Sequence, residues 1–332
     1  ITLAITLPEI DEDWLRSFSQ QLSSLLSEYN VALIGGDTTR GPLSITIQAM
    51  GLVPTGKKLL RSQAVTGDKI YVTGYIGDAA VGLREIVDAH DDEILSPCIN
   101  RLNRPSVRIA FAQDLITPLC PVSSSRYDVL LAGGDDCACV IVPEGKELVI
   151  TTDTLVSGVH FPEQTSARDI AYKSLMVNLS DLASMGAAPA WVTLAITLPE
   201  IDEDWLHAFS EQLSSLLSEY DVALIGGDTT RGPLSITIQA MGLVPRGKKL
   251  LRSQAMTGDK IFVTGFIGDA ALGLRAVLDG DDDEALAPCI NRLNRPDVRV
   301  AFAQDLIDLS HCAIDISDGL VADIGHIMEQ SN

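Results

Sequence analysis

The run Val222-Ala223-Leu224-Ile225-Gly226-Gly227-Asp228-Thr229-Thr230-Arg231-Gly232 decides how this chain is read. Its four apolar residues suit a buried strand, and the glycine pair lets the backbone turn sharply and approach a ligand closely. An acid, two hydroxyls and an arginine follow at once, which offers a ligand for a hard cation and a clamp for phosphate. No Gly-Lys-Ser/Thr follows, so this is not a Walker A loop. A plain hairpin turn is the competing reading, and it leaves Asp228 and Arg231 without a role.

The same run stands earlier in the chain, with Gly36, Asp37 and Arg40 in the matching places. It belongs to a long repeat: residues 2–116 recur at 193–307, and 97 of the 115 aligned positions are identical. That length exceeds any solenoid unit. Only the second copy is preceded by a unique segment, 121–192, and followed by Cys312-Ala313-Ile314-Asp315-Ile316-Ser317-Asp318-Gly319-Leu320. The first copy therefore reads as cut at both ends, and the absence of an initiator Met suggests a fragment.

Between 121 and 332 strands and helices alternate. Leu148 to Thr152 is a β-branched run after the turn signature Pro143-Glu144-Gly145. Asp169 to Met185 has helical spacing and Gly186 as a stop; Val192 to Leu198 reads as a strand, Trp205 to Tyr220 as an amphipathic helix and Ser235 to Val244 as a strand. Lys260 to Gly265, a helix from Asp269 and a strand-turn-helix from Ala313 complete the pattern, with Pro245-Arg246-Gly247 as the best boundary. The interleaving predicts an α/β or α+β protein.

Four further motifs carry chemistry. Gly133-Gly134-Asp135-Asp136 puts two acids after a glycine turn, Thr151-Thr152-Asp153-Thr154 ends a strand, and Asp315, Ser317 and Asp318 surround another turn. Ser174, Asn178 and Asp181 form one polar stripe on an otherwise apolar helix, where a buried acid needs a partner. Each motif alone could be an ordinary turn or cap. Five acid-rich element ends without a Ser/His/Asp or Cys/His set point together to a multi-metal phosphate site.

Composition agrees. A net charge of −21 disfavours nucleic acid and anionic membranes, yet leaves room for phosphates bridged by divalent metals. The apolar fraction of 46% supports real cores, the apolar stretches are too short to span a bilayer, and the start lacks a basic signal-peptide region. The six Cys have no CxxC spacing and read as reduced thiols of a cytoplasmic protein.

The stretches 128–138, 152–161, 177–183, 225–232 and 313–320, in this order and spacing, resemble the thiamine-monophosphate kinases, of the aminoimidazole ribonucleotide synthetase superfamily. The resemblance runs from 124 to 332, and the first copy matches the family's middle portion again. It implies a two-domain fold with mixed sheets and helices on one face, here with an incomplete C-terminal domain. It also implies phosphorylation of thiamine monophosphate by ATP with several Mg²⁺ ions.

Carried over by motif, Asp136, Thr151, Thr152, Asp153, Asp181, Asp228, Asp315 and Asp318 would be metal ligands. Gly227, Asp228, Arg252 and Ser317 would meet ATP, and His160 the thiamine phosphate. The expected domains are partial N-type 1–54, partial C-type 55–120, near-complete N-type 121–247 and truncated C-type 248–332. The expected assembly is a homodimer or an intramolecular pseudo-dimer. In the latter the first copy's strands, Thr2 to Leu7 and Ser44 to Val53, pair with the outer edge of the complete domain, and Asp37 builds no second metal site. Asp136, Asp153, Asp181 and Asp228 should share one cleft. The alternatives are a non-catalytic nucleotide-binding chain and another ATP-using enzyme of the superfamily.

Overall fold

Ser235–Pro245 is the strand around which the structure, a computed structural model, is organised; residues 1–69, 76–88, 93–105, 127–132, 135–281 and 283–331 are described. Gly133, Gly134 and Cys120 lie outside them. Counting in chain order, this strand is β9, after β1 (Thr2–Leu7), β2 (Gly35–Arg40), β3 (Ser44–Gln48), β4 (Val129–Leu131), β5 (Cys139–Val140), β6 (Lys146–Val156), β7 (Ala188–Leu198) and β8 (Ala223–Arg231). The helices are α1 (Glu12–Glu28), α2 (Asp78–Val87), α3 (Ser96–Asn103), α4 (Ala167–Ser184), α5 (Glu203–Glu219), α6 (Asp269–Asp279), α7 (Ala287–Asn294), α8 (Val300–Leu306) and α9 (Leu320–Ser331).

Strand β9 pairs antiparallel with β6, from Lys146 opposite Pro245 to Val156 opposite Ser235, and on its other side with β7. Parallel β8 extends the sheet beyond β7, giving the order β6-β9-β7-β8. The β7 to β8 crossover runs through α5, as a parallel pair requires. Gly226 and Gly227 do not end the strand, and the competing hairpin turn is not formed. They continue β8 through a bulge at Ile225, and a Cβ at Gly227 would stand 1.9 Å from the Leu194 carbonyl oxygen. The glycine pair thus serves close strand passage.

Helix α4 starts where the Ser166 hydroxyl accepts the Asp169 N–H, and it lies on β6 and β9. Ile170, Leu175, Leu179 and Leu182 are buried, and α5 covers it with Phe209, Leu213, Leu216 and Leu217. Helices therefore occupy one face of the sheet.

The first copy occupies the other face. Its sheet, β2-β1-β3, repeats the β8-β7-β9 pattern, and the second copy holds the place beside β6. The expected edge pairing is absent: among the described residues no backbone ladder joins the two sheets. They meet through side chains instead. Gln239 donates to the Thr2 hydroxyl beside Thr152, and the Thr193 hydroxyl donates to Gln48 Oε1 at 2.9 Å. Thr and Gln side chains bridge the two sheets by hydrogen bonds without a shared ladder, and Gln239 Oε1 stays buried without a partner.

Chain 248–331 carries α6 to α9. The strands expected at 260–265 and from 313 are not formed, because no described segment lies alongside to supply a ladder. Arg295 anchors this part to α4 through Asp169 at 2.6 Å and lies over the Tyr172 ring.

Residues 51–123 are a compact unit separate from 1–50 and 124–332. In it α2 and α3 pack closely: a Cβ at Gly82 would lie 2.5 Å from the Cys98 carbonyl oxygen, and Asp78 pairs with Arg101. Helices α6 and α7 repeat this contact at Gly273 and Cys289.

Identical sequence is buried once and exposed once. No residue of α1 is buried, whereas its counterpart α5 buries four; Ile45 and Ile47 are 43% and 46% exposed, whereas Ile236 and Ile238 are 0% and 1%. Leu213→Ala should therefore destabilise by about 2–4 kcal/mol through a core cavity. The matching Leu22→Ala should cost less than about 1 kcal/mol. Urea unfolding followed by tryptophan fluorescence measures both, and equal costs would show that α1 is covered in solution.

Candidate functional site

Strand alternation divides the Thr151-Thr152-Asp153-Thr154 run between two faces. Thr152 and Thr154 turn toward the first copy, where Thr152 meets Thr2 and Gln239 and Thr154 meets the Thr237 hydroxyl at 2.9 Å. The expected metal-ligand set therefore loses the Thr152 hydroxyl. Thr151 and Asp153 turn the other way, toward the end of α4, where the Thr151 hydroxyl donates to Asp181. Ser174 and Asn178, on the same helix stripe, are fully buried and bond to the helix's own carbonyls.

Asp181 shares a hydrogen bond with Asp315, which enters on the segment before α9. The Arg252 guanidinium stands 4.0 Å from Asp315. A further acid comes from the first copy: Asp37 on β2 accepts the Thr154 N–H at 3.0 Å, at the free edge of β6. His160 lies beside it. Its Nδ1 accepts the Val156 N–H at 3.0 Å, so the neutral ring carries its proton on Nε2 and donates it to Thr39 at 2.9 Å. Lys173 donates to the His160 carbonyl oxygen.

Burial and mutual repulsion hold these acids away from their ordinary range. Burial, and then the charges of Asp181, Asp37 and Asp315, push Asp153 up to about 8. Burial and Asp315 push Asp181 up to about 6, against the Thr151 hydrogen bond and Arg252. Asp315 and Asp37 are raised as well, mainly by burial. His160 is lowered by burial and stays neutral near pH 7. Carboxylates crowded in this way need protons or a cation among them. The donors are carboxylate and hydroxyl oxygens, with no thiolate or imidazole, a set suited to a hard divalent ion rather than to zinc.

The other expected site residues stand elsewhere. Asp228 and Gly227 are exposed on β8, at the opposite edge of the sheet from β6 and three strand spacings, roughly 14 Å, away. Asp228 therefore does not share the Asp153 cleft. Asp136 is exposed in the turn between β4 and β5. Ser317 and Asp318 are exposed, and Asp318 lies with Asp323 and His326, their ligand atoms within 4.8 Å. Asp323 also accepts the Ser317 N–H. Asp37 and Thr39 were not expected here, and only the docking of the first copy could have revealed them.

The family profile described as AIR synthase related protein, N-terminal domain, matches residues 1–53 and 134–244. Thiamine-monophosphate kinase of Escherichia coli K12 is 54% identical over 217 residues, 64% of this chain and 66% of that protein. The crystal structure of the Stenotrophomonas maltophilia thiamine-monophosphate kinase matches with a TM-score of 0.60 and 50% identity over 63% of this chain and 68% of that one. The chain belongs to the thiamine-monophosphate kinase family. It matches just under two thirds of the length of the Escherichia coli relative. A structure described as AaThiL complexed with AMPPCP and TMP matches with a TM-score of 0.55 and 29% identity, covering 57% and 62% of the two chains. No described helix is long and apolar enough to cross a membrane.

Asp153 titrates near 8 in the folded state and near 3.8 otherwise, so between these values the folded protein keeps a proton that the unfolded chain has lost. Its stabilising contribution is complete below about pH 4 and is lost as pH rises toward about 8. In EDTA, the Tm of the wild type should fall across this range, and Asp153→Asn should fall less. Parallel Tm profiles would show that Asp153 is not buried among like charges.

Proposed function

We propose that this chain transfers the γ-phosphoryl group of ATP to the phosphate of thiamine monophosphate, releasing ADP and thiamine diphosphate. The observation that carries the reading is the convergence of Asp153, Asp181 and Asp315 with the Thr151 hydroxyl in one half-buried place. Identity of 54% to a thiamine-monophosphate kinase, and a related structure described with AMPPCP and TMP, support the substrates.

Thr151, Asp153, Asp181 and Asp315 would hold Mg²⁺. Bound Mg²⁺ screens the charges of two phosphate-bearing reactants and of the transferred group. Arg252, beside Asp315 and partly exposed, faces the nucleotide together with Ser317. No protein base is needed, because a phosphate monoester is already largely ionised near pH 7. Neutral His160, with both ring nitrogens bonded, braces β2 against β6. The protein's part in the reaction is alignment and charge compensation.

Incubation with ATP, Mg²⁺ and thiamine monophosphate should yield thiamine diphosphate, detected chromatographically. Asp153→Asn and Asp181→Asn should each lower turnover by about a hundredfold or more with the fold intact by circular dichroism. The alternative outcome is nucleotide binding without turnover. Calorimetric binding of Mg²⁺-ATP with no product would establish it instead.

A further inference from the structure

Two acids of this chain have the same sequence around them, and the fold treats them differently. We propose that Asp37, from the first copy, completes the metal site around Asp153, and that Asp228, its counterpart in the second copy, takes no part. The chain then holds one site assembled by its two copies.

Strand order places β2 of the docked sheet along β6, while β8 stands at the far edge. Among the described residues β8 is paired with β7 alone, and Asp228 on it is exposed. The Asp37 carboxylate is fixed by the Thr154 N–H at 3.0 Å, one residue from Asp153, and its charge reaches both Asp153 and His160. Thr39, two residues along β2, ties the same strand to His160. Two hydrogen bonds, from the Thr154 N–H to Asp37 and between His160 and Thr39, therefore hold β2 in one register against β6. A divalent cation with oxygen preference is the ligand that a fourth carboxylate at this place would take.

The inference rests on the metal site of the phosphotransfer reading, so its test uses metal alone. Mn²⁺ is the probe, titrated into the full chain by calorimetry and by paramagnetic resonance, without nucleotide or thiamine phosphate. Asp37→Asn keeps an oxygen to accept the Thr154 N–H and removes only the charge. It should weaken Mn²⁺ binding by about tenfold or more, or remove one bound ion, with Tm preserved. Asp228→Asn should stay within about twofold of wild type, as expected for a residue outside the coordination shells. Affinity should also hold over a roughly hundredfold dilution of protein, since a site completed within one chain does not depend on association.

Loss in Asp228→Asn without loss in Asp37→Asn, equal effects in both, or no effect in Asp37→Asn would overturn the assignment. Weakening on dilution would overturn its completion within one chain. Absence of Mn²⁺ binding to the wild type would sink the metal site itself and the inference with it. Failure of turnover with these metal results intact would count against the substrate assignment alone.

Discussion

The antiparallel ladder between β6 and β9 sets where charge can stand in this molecule. Eleven consecutive pairs, from Lys146 with Pro245 to Val156 with Ser235, leave β6 no freedom to slip. A shift of one residue would exchange its two faces, carrying Thr152 toward α4 and Asp153 into the space between the sheets. Asp181 would then lose the Thr151 hydroxyl, and Gln239 would meet a carboxylate. Register therefore does more than build the sheet. It keeps neutral Thr and Gln side chains on the side where two sheets must meet, and acids on the side where a cation could enter.

Burial of like charges costs stability, and the surrounding packing supplies what offsets it. Trp191, Ile236, Ile238 and Val244 are fully buried along β7 and β9, and α4 buries ten of its 18 residues. Such a core can hold Asp153 and Asp181 in their raised states without unfolding, because the apolar area on the same elements is large. The polar layer between the sheets has a different economy. Its Thr and Gln groups are neutral, so this layer relies on shape and hydrogen bonds, and the charge that docking desolvates is that of Asp37 at the edge of β6.

Much of this is legible in the sequence. Period 3.6 in 167–184 and 203–219 and β-branched runs in 188–198 and 235–245 mark elements that the structure forms within a few residues of their expected ends. The acids Asp153, Asp181 and Asp315 are legible because each follows a turn or closes an element in an order that the family repeats. The glycine pair at 226–227 misleads, since the same residues serve a turn or a close strand crossing, and only the Leu194 carbonyl decides between them. Segment 313–316 has strand composition and, among the described residues, no strand beside it to pair with. Asp37 and Asp228 are indistinguishable by any local signal, because their neighbours are the same; only the side on which a whole sheet docks separates them.

The exposure of α1 and the burial of α5 bear on how the chain is made. A ribosome releases α1 first, then α4, and α5 only after some 20 to 50 further residues, a delay on the order of seconds. Throughout that interval the one helix of matching sequence able to cover the nascent α4 is α1, which differs from α5 at only three of its seventeen positions. Early coverage of this kind would shelter α4 from aggregation and would then have to be surrendered when α5 arrives. The repeat thus gives the growing chain a built-in placeholder, and reaching the final arrangement becomes an exchange of one helix for its near twin, the reaction that swaps elements between molecules carried out inside one.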